Sequence, residues 1–256
     1  MLGKIASRLA ALRGYELVPK RREPTYPTDF TAEEIATWQA VQPYTMTSPE
    51  RVVTLTRAVA HIIRYAIPGD FVECGVWKGG SMMAAARTLL ELGDTSRTLH
   101  LFDTFEGMPA PSELDFRIKY GQHSKSAAEI LAAQDKATSH TWAVAALDLV
   151  RRNMQSTGYP REGVRYVRGR VEETIPLEAP DRIALLRLDT DWYESTQHEM
   201  VHLYPRLVPG GVLILDDYGH WAGVERAVDE YVADHRIQLL LCRIDYPGRV
   251  AVKPPC

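Results

Sequence analysis

Short apolar runs that stop abruptly at acidic residues recur along the chain, with helix-like spacing between them. Ile-Ala-Leu-Leu-Arg-Leu (183–188) ends at Asp189 and Asp191, and Gly-Gly-Val-Leu-Ile-Leu (210–215) ends at Asp216 and Asp217. Neither run alternates strictly, as expected for strands buried on both faces of a parallel sheet. The intervening helical stretch of about twenty residues is long enough for a crossover between parallel neighbours. Further strand signals lie at 69–74, 97–103, 164–169 and 238–244, and 248–253 reads as a hairpin-like return. Helix signals start at Thr31-Ala-Glu-Glu and at Thr47-Ser-Pro-Glu, where Pro49 fits a first turn and the helix runs through Ala66. Others begin after Ser81, run to about Thr157, and cover 193–203 and 222–235. The pattern predicts five strands separated by helices and a terminal β-pair, an α/β sandwich. Residues 109–145 break the rhythm with Pro109, Pro111 and the polar stretch Gly121-Gln-His-Ser-Lys, as a lid or substrate wall does.

Chemistry enters at the strand ends. Neighbouring parallel strands would present their four acids side by side at the C-terminal edge, where open α/β sheets bind ligands. Clustered carboxylates repel unless a cation sits among them, and an oxygen-only set suits Mg²⁺, Mn²⁺ or Ca²⁺. The plainer alternative is a set of strand-end caps. After the 69–74 strand, Gly75, Gly79, Gly80 and Ser81 form a glycine-rich turn that opens a helix. Such a turn allows close backbone approach and offers free N–H groups. Its G-x-x-x-G-G spacing differs from the G-x-G-x-x-G of dinucleotide binders. Asp103 ends the next strand, where an acid grips ribose hydroxyls in nucleotide-binding βαβ units; otherwise it is a turn residue.

Whole-chain properties narrow the setting. A net charge of −3 over 256 residues argues against a nucleic-acid binder. Cys74, Cys242 and Cys256 form no C-x-x-C pair, which points to reduced thiols and a cytoplasmic location. No apolar run is long enough for a membrane span. Residues 1–14 are amphipathic, with Leu2, Ile5, Leu9 and Leu12 on one face and Lys4, Arg8 and Arg13 elsewhere. That pattern fits peripheral membrane contact or, as the favoured alternative, packing on its own or another subunit, the latter making a homo-oligomer such as a dimer. Residues 1–40 are expected to be a helix and connector, and 41–256 the main domain. His198-Glu-Met-Val-His202 matches the zinc-protease pattern literally. It falls on the crossover helix, whose middle lies far from the ligand edge, and is set aside.

The motifs at 72–80 (Val-Glu-Cys-Gly-Val-Trp-Lys-Gly-Gly), 102–109 (Phe-Asp-Thr-Phe-Glu-Gly-Met-Pro), 188–196 (Leu-Asp-Thr-Asp-Trp-Tyr-Glu-Ser-Thr), 203–207 (Leu-Tyr-Pro-Arg-Leu) and 216–219 (Asp-Asp-Tyr-Gly) resemble the macrocin O-methyltransferase family. These TylF-like enzymes methylate sugar hydroxyls of antibiotics, and the resemblance spans roughly residues 40–250. It implies a class I S-adenosylmethionine (SAM) methyltransferase: a Rossmann-like three-layer sandwich, a seven-stranded sheet with its last strand antiparallel, and dependence on Mg²⁺ or Mn²⁺. By the same resemblance, Glu73, Gly75, Gly79, Gly80 and Ser81 are the SAM loop, and Thr45 and Met46 lie near the cofactor's methionine end. Asp103 holds the ribose with Thr104 beside it, and Gly169 and Arg170 border the adenine. Asp189, Asp216 and Asp217 are the implied metal ligands. The proton acceptor is expected to be Asp191 or Asp189, with His220 and His123 behind them, unless Asp191 merely caps helix 193–203. Lys119, Gln122, His123, Ser124 and Lys125 lean towards a saccharide or glycosylated small-molecule acceptor. The competing readings are a metal-dependent catechol or phenol methyltransferase and a non-catalytic SAM-binding module. An NAD-dependent dehydrogenase is disfavoured by the glycine spacing and the lack of a Tyr-x-x-x-Lys pair.

Overall fold

The computed structural model describes residues 26–136 and 138–255. The chain divides into two units, Met1–Thr31 and Ala32–Cys256. In the first, Phe30 N–H donates to the Pro27 carbonyl in a turn; the amphipathic stretch 1–14 lies outside the described residues. The second unit opens with helix α1 (Ala32–Val41). This helix belongs to the body, because Val41 is fully buried in its core, and the unit starts at Ala32 rather than at 41.

Helix α2 (Pro49–Arg64) starts as its sequence demands, with Pro49 in the first turn and the Ser48 hydroxyl accepting from Arg51 N–H. There follow β1 (Asp70–Cys74), α3 (Gly80–Glu91) and β2 (Leu99–Asp103). The insertion contributes β3 (Phe116–Lys119), β4 (Gln122–Ser126) and α4 (Ala127–Ala132). The chain then runs through α5 (Leu147–Gln155), β5 (Val164–Arg168), α6 (Val171–Thr174), β6 (Ile183–Leu188), α7 (Tyr193–Leu203), β7 (Leu207–Leu215) and α8 (Ala222–Asp234). It closes with β8 (Cys242–Arg243) and β9 (Arg249–Val252).

Seven strands form one sheet in the order β5-β2-β1-β6-β7-β9-β8, and β9 runs antiparallel to both its neighbours. The expected sheet with an antiparallel last strand is therefore present. Two details differ. The strand expected at 238–244 shrinks to Cys242–Arg243, because only these residues find partners on β9 at the open edge. The insertion carries a hairpin that the polar composition hid. Its two-residue turn, Tyr120-Gly121, has φ 52° and 74°, the doubly positive pattern of a tight hairpin turn.

Alternation along the central strands sorts their side chains. Phe71 of β1, Leu185 of β6 and Ile214 of β7 join α1, α2, α3 and α5 in one core. Val72, Cys74, Leu186, Leu188, Leu213 and Leu215 face α7 and α8 in the other. With period 2, the face that carries Phe71, Leu185 and Ile214 next carries Glu73, Arg187 and Asp216. Register puts Glu73 beside Arg187 and Arg187 beside Ile214. A polar row thus crowns an apolar face at the C-terminal sheet edge.

Candidate active site

Arg187 anchors that row. Its side chain is 4 % exposed; Nη1 donates to Glu73 Oε1 (2.8 Å) and Asp189 Oδ2 (2.9 Å), and Nη2 to Asp216 Oδ1 (2.5 Å). Arg51, from the first turn of α2, donates to Asp216 Oδ2 and, through Nε, to Asp245 Oδ2 at 3.0 Å. Asp245 also accepts from the Ser48 hydroxyl (2.6 Å), which ties the start of α2 to the β8–β9 turn. Burial would depress the pKa of Arg187, but Asp189, Asp216 and Glu73 raise it. It is therefore a permanent buried cation.

Asp189, Asp216 and Asp217 place one carboxylate oxygen each within 4.8 Å of one another. Among the described residues this is the cluster with metal-ligating geometry. Six carboxyl groups (Glu73, Asp189, Asp191, Asp216, Asp217 and Asp245) surround two guanidinium groups (Arg51 and Arg187), which are too few to compensate the acids were all of them ionised. Burial pushes Asp189 and Asp217 well above the usual carboxylate range, and neighbouring carboxylates reinforce the shift. Burial, then Asp189, pushes Asp191 up to about 7. The side chain of Asp189 is 26 % exposed, but to a cavity, so its desolvation still dominates. Each carboxylate oxygen keeps a second lone pair after accepting from an arginine. An uncompensated all-oxygen cluster of this kind fits a hard divalent cation.

The glycine turn lies one strand away. Gly75 (φ 81°) packs so tightly on β6 that a Cβ would sit 2.0 Å from the Asp189 carbonyl oxygen. A Cβ on Gly80 would lie 2.6 Å from the Tyr44 carbonyl oxygen, so residues 44 and 45 close over the start of α3. Gly79 (φ 89°) turns the chain, and its open side faces Val150 and Met154; it lines neither cavity. Asp103 stiffens the turn from β2: Oδ2 accepts from Val76 N–H (2.7 Å) and Trp77 N–H (3.1 Å), and Oδ1 from Phe105 N–H (2.6 Å). Three backbone N–H groups take most of its acceptor positions, so its carboxylate is chiefly a turn-former.

Two cavities meet at this edge. One is lined by Gly75, Phe102, Asp103, Thr104, Gly169 and Arg170, among others. The second, about 600 Å³, is lined by Thr45, Gly80, Ser81, Arg51, Asp216, Asp217, His220 and Tyr246 among others. Met46, Trp77, Ala143, Asp189 and Asp191 line both. The expected binding residues thus converge, apart from Glu73 and Gly79. Glu73 is 1 % exposed and sits beneath the floor, pushed up to about 8 by burial against the pull of Arg187.

Other expectations change. Asp191 does not cap α7: Trp192 is the N-cap residue, and Tyr193 N–H is taken by Asp115 Oδ1 at 2.8 Å. Asp191 Oδ1 accepts instead from Trp221 Nε1 (2.9 Å). His123 stacks on Phe116 in a separate groove beside α8, so it is no candidate base. Lys119, Gln122, His123, Ser124 and Lys125 are all exposed and line neither cavity, so they say nothing about the acceptor. In the zinc-like motif, His198 Nε2 pairs with the Ile175 carbonyl (3.0 Å), while Glu199 is fully buried and accepts from Thr190 Oγ1 (3.1 Å). Arg187, Arg51, Asp245 and Trp221 escaped the sequence reading. Arg187 alone left a signal, as one charge inside an apolar run.

Comparison with known proteins adds the following. The sequence model described as macrocin-O-methyltransferase (TylF) matches residues 20–252. The 8-demethyl-8-(2,3-dimethoxy-alpha-L-rhamnosyl)-tetracenomycin-C 4'-O-methyltransferase of Streptomyces olivaceus is 34% identical over 215 residues, 82% of this chain and 76% of its own. Demethyldecarbamoylnovobiocin O-methyltransferase of Streptomyces niveus is 32% identical over 229 residues, 89% of this chain and 81% of its own. The solved structure of the O-methyltransferase NovP superposes with a TM-score of 0.71 at 31% identity, over 83% of each chain. No helix of the described residues is long and apolar enough to cross a membrane.

Proposed function

The chain belongs to the macrocin O-methyltransferase family, and on that footing we propose that it methylates a sugar hydroxyl of a glycosylated natural product or oligosaccharide, using SAM and a divalent cation. One observation carries the reading: Asp189 and Asp191 stand where the two cavities join. In the transfer, the acceptor oxygen forms a bond to the methyl carbon, the C–S bond breaks with its electron pair left on sulfur, and the hydroxyl proton leaves to a base.

The cavity lined by Asp103, Thr104, Gly169 and Arg170 suits an adenosine, and Thr45, Gly80 and Ser81 suit the methionine end. Asp189, Asp216 and Asp217 would hold Mg²⁺ or Mn²⁺, which when bound supplies a fixed positive charge that orients acceptor oxygens and lowers a hydroxyl's pKa. Asp191 is the proton acceptor in this reading: it faces the junction of the two cavities, and a carboxylate within reach of the reacting hydroxyl can serve as a general base. His220 is the second choice; burial, then Arg117 and Arg51, lowers its pKa and keeps it neutral. Met46, Trp77 and Ala143 line the junction beside the two acids, and positioning supplies much of the rate. The sugar assignment rests on the names of the relatives. A phenolic acceptor stays on the test panel, because His220, Trp221 and Tyr246 set aromatic rings edge-on along the outer cavity. The free thiols of Cys74 and Cys242 support a cytoplasmic setting, and the amphipathic pattern of residues 1–14 supports self-association.

The test is calorimetric SAM binding followed by methyl transfer to a panel of free sugars, glycosides and catechols, with Mg²⁺ and with chelator. The reading expects SAM binding, and transfer to a sugar that requires the cation and is lost in Asp216→Ala. Transfer to catechols alone would replace the acceptor, and cation-independent transfer would remove the metal.

A further inference from the structure

We propose that Trp221 is a positioning residue: its indole N–H aims the Asp191 carboxylate, and the 109–145 insertion holds the indole in place. This rests on the reading of Asp191 as the base. The backbone at Asp191 supplies the first argument. Its φ is 66°, and Trp192 N–H donates to the Thr190 carbonyl at 2.8 Å, which makes the γ-turn of positive φ, the rarer and strained form. A strained turn persists only where its surroundings over-determine it. The side chain above it is held from another strand's loop, by Trp221 Nε1 at 2.9 Å.

The indole is itself fixed. Trp221 is 7% exposed, meets Trp192 edge-on at 5.2 Å between ring centroids, and shares a small core with Ala127, Leu131 and Val224. Ala127 and Leu131 belong to α4, within the insertion. The insertion is bonded to both acid-bearing loops. On the β6 side, the Pro109 carbonyl accepts from Trp192 Nε1 (3.1 Å), and Asp115, fully buried, accepts Tyr193 N–H. On the β7 side, Ile118 N–H donates to the His220 carbonyl (2.7 Å), and Arg117 forms a backbone bridge with Trp221. Gly223 lets α8 close on this pin, since a Cβ there would lie 2.0 Å from Asp115 Oδ1. The insertion is therefore a clamp across the two loops, and Trp221 is its point of contact with the chemistry.

The test compares Trp221→Phe and Asp191→Asn in the full chain by kcat, acceptor KM and calorimetric SAM affinity, and follows the Trp221 indole N–H by NMR. Trp221→Phe keeps a ring and loses the donor. It should lower kcat about tenfold to a hundredfold, with KM and SAM affinity within about twofold, since misplacing a reacting group by an ångström costs that much. The double variant should be no slower than Asp191→Asn, because the two act as a unit. In the wild type the indole proton should be protected from exchange, and its resonance should move in Asp191→Asn. Wild-type kcat in Trp221→Phe beside an inactive Asp191→Asn would reduce Trp221 to packing. Full kcat in Asp191→Asn would instead sink the base assignment. Should Trp221→Phe fail to bind SAM, benzothienylalanine at 221, which keeps the shape and lacks the N–H, carries the same expectation.

Discussion

Replacing Arg187 with methionine tests whether the buried row is held by charge. Methionine fits the space of the side-chain stem, but Asp189 and Asp216 each lose an arginine partner, and Asp216 keeps only Arg51. Breaking a buried ion pair by removing one partner costs about 3–5 kcal/mol. At about 2–4 °C per kcal/mol for a chain of this size, the melting temperature should fall by roughly 6–20 °C. Glu73 supplies an internal control. Its folded pKa is pushed up to about 8 from an ordinary 4.5, so the folded state holds this proton more tightly than the unfolded one. Its contribution is fully present below the unfolded value and is lost as pH rises towards the folded one. Without Arg187 the folded value rises further, so the deficit of Arg187→Met should widen above about pH 8. The part of that widening that belongs to Glu73 should vanish in a Glu73→Gln background, leaving only what Asp189, whose pKa Arg187 also lowers, contributes. The assay is thermal and urea unfolding of the four proteins in chelator at pH 7 and pH 9. An Arg187→Met protein within about 1 kcal/mol of wild type at pH 7 would refute the charge argument, given the cost expected for a broken buried pair. A deficit that widens equally with and without Glu73 would refute the pairing.

Three shorter predictions follow from the same geometry. In chelator, stability should fall as pH rises from the ordinary carboxylate range through about 7, because burial raises Asp191 to about 7 and also pushes Asp189 and Asp217 up. Mg²⁺ should then raise the melting temperature more at pH 8 than at pH 6, as ligands must lose protons to bind it. Gly80→Ala puts a methyl 2.6 Å from the Tyr44 carbonyl oxygen, so calorimetry should find SAM binding about fivefold to 150-fold weaker, if the 1–3 kcal/mol overpacking cost falls on the bound geometry. His198→Ala should leave turnover unchanged, and metal analysis of the wild type should find no zinc, since that imidazole bonds the Ile175 carbonyl.

What was legible in the sequence was local. Acids that terminate apolar runs, and glycines that open a helix after a strand, mark the ligand edge because each signal fits within a few residues. The partners of those acids were not legible, because topology brings them together. Glu73 and Arg187 are 114 positions apart, and Arg51 and Asp216 are 165 apart. The polar residues at 119–125 misled for a related reason. Polar composition suits an exposed hairpin as well as a cavity wall, and only the tertiary placement separates the two. Asp115 gave no signal either, since a buried carboxylate that accepts backbone N–H groups looks in sequence like any loop acid.

The buried row also ties the fold to the chemistry. Phe71, Leu185 and Ile214 face one core, and two residues further on Glu73, Arg187 and Asp216 face the same way. A one-residue slip of β6 would send Arg187 into the layer under α7 and α8, away from every carboxylate of the site. It would also expel Leu185 from its core, so apolar packing and ion pairing select the same register. Buried ion pairs add little net stability, yet a lone buried charge is expensive. Arg187 thus penalises the wrong registers more than it stabilises the right one. The correct register delivers Asp189 and Asp216 to neighbouring positions, with Asp216 N–H bonded to the Leu188 carbonyl at 3.0 Å. The pairing that specifies the sheet is the one that assembles the acids.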